Sequence, residues 1–209
     1  MKKTYTIHLS GSVFHIEEDA YEILQKYLVS LKNYFGDDDE GREILADIEF
    51  RIAEIFNSKI TEDKKVVTTE WVNEVIEVMG TPENFVEAEE TDEPLGEKTK
   101  TKKRLYRDPE QKVLGGVCGG LAAYLNTDPV VVRLIAVLLF FLTSGVAVIA
   151  YLILWIAVPK ALNAAQRLEM RGEEVTVKNI EKFIKDEVDS VKESYQRFKK
   201  DGFFSKKKA

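Results

Sequence analysis

The stretch Leu134–Val158 reads LIAVLLFFLTSGVAVIAYLILWIAV, 25 residues without a charged side chain. A helix rises about 1.5 Å per residue, so this run reaches roughly 37 Å against a hydrocarbon core of about 30 Å. Arg133 bounds one end and Pro159-Lys160 the other. Tyr151 and Trp155 fall in the last two turns, where amphipathic aromatics sit at headgroup level. The pattern predicts one tilted transmembrane helix over about 131–158. Thr143-Ser144-Gly145 is its one soft spot. Broken there, each half would be about 12 residues, too short to span, and the run would be a re-entrant hairpin. A helix buried in a soluble core is disfavoured, because the rest of the 209-residue chain is too charged to surround it.

Charge divides the chain around this run. Residues 1–97 hold 9 basic and 24 acidic side chains, residues 98–133 hold 8 and 3, and residues 159–209 hold 13 and 9. The net charge of −6 therefore averages an acidic domain, a basic collar and a mixed-charge tail. Lys and Arg are denser before the run than after it, which favours a cytoplasmic N-terminal side. The start lacks a basic segment followed by a short apolar run and a small-residue cleavage site, so no signal peptide is expected. One cysteine, Cys118, excludes an internal disulfide framework and any CxxC site.

The N-terminal 88 residues read as a small α+β domain. Tyr5, Ile7 and Leu9 alternate with polar residues, Ser10-Gly11-Ser12 breaks the run, and Phe14 and Ile16 resume it, as in a β-hairpin. Helical spacing follows at Ala20, Ile23, Leu24, Tyr27, Leu28, Leu31, Tyr34 and Phe35, and again at Ile44, Leu45, Ile48, Ile52, Ile55 and Phe56. Thr68 or Thr69 can cap a third helix carrying Val72, Val75, Ile76 and Met79 and ending at Gly80, and Thr81-Pro82 opens a final turn. His8 and His15 have no carboxylate or thiol at ligand spacing and read as ordinary strand residues. Asp37-Asp38-Asp39-Glu40 fails as a calcium loop, since positions six and twelve would be Arg42 and Ile48. It reads as a solvated loop between helices. No phosphate loop or nucleophile elbow is present. No catalytic, cofactor or metal residue is expected, nor a small-molecule substrate, and the acidic surface disfavours nucleic acid. The domain reads as an interaction module.

A charged linker, 89–103, leads into LYRDPEQKVLGGVCGGLAAYLNTDP at 105–129. Between residues 112 and 126 the apolar positions keep helical spacing, while Gly115, Gly116, Gly119 and Gly120 form a small-residue strip. This predicts an interfacial amphipathic helix packed closely through its glycines, with Tyr124 beside them. Cys118 reads as a small apolar residue of that helix. After Gly172, Val177, Ile180, Ile184, Val188, Val191, Tyr195 and Phe198 are spaced 3, 4, 4, 3, 4, 3, close to a heptad seam. That helix is expected to dimerise, dock on a partner, or pack on the chain's own N-terminal domain. The tail, Phe203-Phe204-Ser205-Lys206-Lys207-Lys208, could touch an anionic leaflet. The fold class expected is mainly α, in segments 1–88, 89–103, 104–160 and 161–209.

Arg104-Leu105-Tyr106-Arg107, then Val113 to Tyr124 with its paired glycines, resembles the phage shock protein C domain. Asp128-Pro129-Val130-Val131-Val132-Arg133-Leu134 and the closing Tyr151-Leu152-Ile153-Leu154-Trp155-Ile156-Ala157-Val158-Pro159 are similar to it in order and spacing. The resemblance covers 104–160. The acidic domain before it and the charged helix after it resemble the longer form of Bacteroidetes-type bacteria. The resemblance implies an inner-membrane protein of envelope-stress signalling, acting through protein partners rather than by catalysis; the apolar run makes it single-pass, and the C-terminal seam allows a homo-oligomer. A membrane-tethered, stress-responsive transcriptional regulator binding DNA is the alternative it implies. The membrane-boundary residues would be Arg133, Tyr151, Trp155 and Pro159.

Overall fold

A computed structural model describes residues 3–62, 64–82 and 103–205, with side chains described to residue 197. Most of the linker 89–103, the side chains of Phe198, Phe203 and Phe204, and Lys206 to Lys208 lie outside the described residues. The chain forms two compact units, Met1–Phe85 with Ile180–Ala209, and Val86–Asn179.

In the first unit, β1 (Thr4–Leu9) and β2 (Ser12–Glu17) pair antiparallel, with Tyr5 opposite Ile16 and Ile7 opposite Phe14. Ser10 and Gly11 turn the chain with φ of 45° and 79°, the left-handed pair that a two-residue hairpin loop requires. A short β3 (Val66–Val67) joins β2 in parallel. Two residues are too few to show an alternation, so the sequence pattern does not reveal this strand. The sheet packs on α1 (Glu18–Phe35) and α2 (Asp39–Lys59), and α3 (Thr69–Met79) packs on α1 and α2. Phe14, Ile16, Leu24, Leu31, Ile44, Ile48, Ile52, Phe56, Val72, Val75 and Met79 are buried, the apolar faces that the helical spacing marks out. Phe14 meets Phe56 edge-on at 5.7 Å.

The acidic run after α1 has a local role. The Asp38 side chain accepts a hydrogen bond from the Gly41 amide at 2.8 Å, capping α2, and Asp39 and Glu40 sit in its first turn. Carboxylates there offset the unpaired amides and favour the helix dipole. Only Asp37 and Asp38 of the four lie between the helices.

The same unit includes most of α8 (Val177–Ser205). Ile180 and Ile184 are buried. The Lys185 amine is pushed up, first by its hydrogen bond to Glu181 at 2.6 Å and further by the nearby charge of Glu40. The start of α8 therefore lies by the α1–α2 corner of its own chain.

The second unit holds α4 (Val117–Leu125), α5 (Pro129–Leu142), α6 (Val146–Ala157) and α7 (Ala164–Arg171). Asn126 ends α4 in the left-handed region, with φ 51°. Asp128 then caps α5 by accepting from Val130 N at 2.6 Å, and Pro129 takes the first helical position, where a missing N–H costs nothing. The two helices bend by 119° across this junction.

Candidate membrane-insertion site

The charge-free run folds as two helices. A continuous helix over 131–158 does not form, because the chain breaks at Thr143-Ser144-Gly145, where Ser144 has φ 49° and Gly145 φ 94°. The Thr143 hydroxyl donates to Leu139 O at 2.7 Å and accepts from Ala147 N at 3.0 Å, closing the turn. Neither α5 nor α6 has a buried residue. Phe141 and Leu142 are more than two-thirds exposed and Ile156 is 86% exposed. No single helix among the described residues is long and apolar enough to cross a membrane.

Both ends of this hairpin are held by one segment, residues 104–116. Arg107 pairs with Lys160 in a parallel bridge, donating its amide to Pro159 O at 2.8 Å and accepting from Ala161 N at 3.0 Å. Its guanidinium donates to Val158 O at 2.8 Å and to Gly115 O at 3.2 Å. Those carbonyls lie past the end of α6 and before the start of α4, where no helical partner is available. The Arg133 guanidinium donates to Gln111 O at 2.7 Å, tying down the start of α5. The Tyr151 hydroxyl donates to Leu114 O, tying α6 to the same loop.

The glycines make this approach possible, though not as one helical strip over 112–126. Gly115 and Gly116 precede α4 with φ of 62° and 81°, a conformation an L side chain resists. A Cβ on Gly115 would lie 2.6 Å from the Trp155 ring nitrogen, and one on Gly116 would run into Asp108 O. Gly119 and Gly120 are inside α4. A Cβ on Gly120 would overlap Tyr106 O, while one on Gly119 would meet Asp108 Cβ at 3.0 Å. Close approach is what the paired glycines provide, and the partner is the extended segment 106–108 and Trp155 rather than another helix.

Beneath this clasp Tyr106, Ala161 and Met170 form a small core with Ala123 against it. The Tyr106 hydroxyl donates to Glu169 Oε2 at 3.1 Å, and Arg104 stands 3.8 Å from the same carboxylate. Glu169 is buried, and a buried carboxylate requires such partners. Arg167 pairs with Glu110. Lys103 donates to Tyr124 O at 3.1 Å and lies 6.0 Å from the Tyr124 ring centre.

The boundary residues Arg133, Tyr151, Trp155 and Pro159 thus come together with Gly115, Gly116, Gly119 and Gly120 at the clasp. The seam residues of α8 divide. Val177, Ile180 and Ile184 are buried, Val188 is half-buried, and Val191 and Tyr195 are 63% and 68% exposed. Sequence reasoning leaves out the roles of Arg107 and Glu169. Arg107 sits among basic residues that read as a collar. The one available sign of Glu169 is a carboxylate flanked by Leu168 and Met170.

In the first unit, Thr6, His8, Gln25, Leu28, Lys32 and Glu49 line much of an open groove of about 470 Å³ along β1. Burial pushes the Glu49 carboxyl above its usual range. Among the described residues no group of three His, Cys, Asp or Glu is placed to hold a metal ion.

The clasped loop coincides with a known domain: the family model described as the PspC domain matches residues 103–161, and the chain belongs to the PspC domain family. Over 53 residues it is 43% identical to an uncharacterized membrane protein, YvlC, of Bacillus subtilis (strain 168), which covers 25% of this chain and 82% of that protein. No solved structure matches.

Proposed function

We propose that this chain is a non-catalytic membrane protein of the envelope-stress response, which senses or relays the state of the bilayer through contacts with other proteins. The observation that carries this reading is the α5–α6 hairpin, uncharged from Leu134 to Ala157 and with no buried residue. In water, exposed apolar surface on this scale marks an interaction site, and lipid chains accept it from all directions. Membership of the PspC domain family and the likeness to a membrane protein support the same reading. The location we propose is the bacterial inner membrane, with the basic collar of residues 98–133 toward the cytoplasm.

The clasp supplies a route from bilayer to protein. Arg107, Arg133, Tyr151 and Trp155 join the hairpin's base to the extended segment 104–116, so a change in hairpin packing bears on that segment directly. The open half of the α8 seam, Val191 and Tyr195, and the groove beside β1 offer surfaces for other envelope-stress proteins or a second copy.

A photo-crosslinking residue at Val191 or Tyr195 of the full-length protein, compared between relaxed and stressed membranes, tests the relay. Adducts that change with stress are expected. An identical pattern in both states overturns the relay. Under the alternative of a tethered DNA-binding regulator, the detergent-solubilised full chain would retard duplex DNA in a salt-sensitive way. We expect no retardation.

A further inference from the structure

Granting the membrane reading just given, we infer that the α5–α6 hairpin enters the bilayer from one face and turns back within it. The N-terminal domain and the C-terminal helix then lie on the same side. The occupant of its apolar surface is the acyl-chain layer of a single leaflet.

The base of the hairpin provides the first support. The start of α5 and the end of α6 are fastened to one short segment, by Arg133 to Gln111 O and by Arg107 to Val158 O. The chain leaves and re-enters that segment at neighbouring points.

The tip provides the second. From Thr143 to Val148 every amide is bonded within the hairpin: Thr143 N to Leu139 O, Ser144 N to Phe141 O, Gly145 N to Phe140 O, Val146 N to Thr143 O, Ala147 N to Thr143 Oγ1, and Val148 N to Gly145 O. Hydrocarbon offers no hydrogen-bond partner, so a turn at that depth must satisfy its own donors. A turn emerging among headgroups would find water. This one is also uncharged and flanked by Phe140, Phe141 and Leu142.

Length agrees. Beyond Arg133, the apolar part of α5, Leu134 to Leu142, reaches about 13 Å at the helical rise, close to half of a hydrocarbon core of about 30 Å. The first unit is a third, independent support. Ile180–Ala209 belongs to the same compact unit as Met1–Phe85, and Ile180 and Ile184 are buried. Two segments packed together cannot lie across a bilayer from each other.

The test uses the full-length protein in sealed membrane vesicles of both orientations. Trypsin is added outside, and the fragments are read by mass. No Lys or Arg lies between Leu134 and Val158. Cleavage on both sides of a protected hairpin in one orientation, and none in the other, is expected. In a Cys118→Ala background, single cysteines at Glu22→Cys and Lys192→Cys should take an impermeant maleimide in the same orientation. Leu142→Cys should react in neither until detergent is added. Labelling of positions 22 and 192 from opposite faces, or of position 142 from the far face, overturns the hairpin and leaves the membrane reading standing. Release of the wild-type protein by alkaline carbonate overturns both.

Discussion

Two adjacent glycines in α4 separate two physical roles. Replacing a helical Gly with Ala favours the helix by about 1 kcal/mol. At Gly119 the added methyl meets Asp108 Cβ at 3.0 Å and Gln111 O at 3.3 Å, so Gly119→Ala should be near neutral. At Gly120 it overlaps Tyr106 O, so Gly120→Ala should cost about 1–3 kcal/mol through overpacking. Thermal unfolding of the solubilised protein would separate them. Arg107→Lys should also be costly, by about 2 kcal/mol. A lysine carries its donors on a single nitrogen, where the guanidinium spans Val158 O and Gly115 O from two. The same melt would show it.

In the N-terminal unit, Tyr27 donates its hydroxyl to Gly80 O at 2.8 Å, joining α1 to the end of α3. Burial raises its ionisation above the ordinary 10.0. The folded state therefore holds this proton more tightly than the unfolded chain does. Its contribution is complete below about pH 10 and declines as pH rises beyond that value. Stability measured by denaturant titration should fall more steeply with alkaline pH in the wild type than in Tyr27→Phe. The phenylalanine variant should be about 1 kcal/mol weaker near neutrality.

At the scale of elements, α8 changes role along its length. Ile184→Ala should cost about 2–4 kcal/mol, since that side chain is buried in its own unit. Val191→Ala, at an exposed position on the same stripe, should leave the melt unchanged and weaken crosslinking to whatever binds there. The helical spacing is uniform along this stripe, so sequence reasoning finds the helix but not the point where the chain stops covering it. Coverage depends on where α1 and α2 end. The hairpin shows the same limit. Its apolar character is written plainly in Leu134–Val158, but whether Thr143-Ser144-Gly145 kinks or breaks a helix depends on tertiary fastening. Tyr151, Trp155 and Arg107 provide that fastening from 8 to 36 residues away. The glycine pairs signal close approach, while their partner, the extended segment 106–108, carries no periodicity to announce it. β3 is legible only once β2 is in place to receive it.

For the molecule as a whole, the join between Arg107 and Lys160 means that the match to the PspC domain, 103–161, begins and ends at neighbouring points in space. A domain whose entry and exit adjoin can be spliced into a host chain without prising the host apart. That geometry makes it a transplantable cassette. Here the flanks on either side of the cassette, Met1–Phe85 and Ile180–Ala209, close up into one body of their own. The flanks of such a cassette are free to be exchanged over evolution while the inserted loop keeps its own fastening.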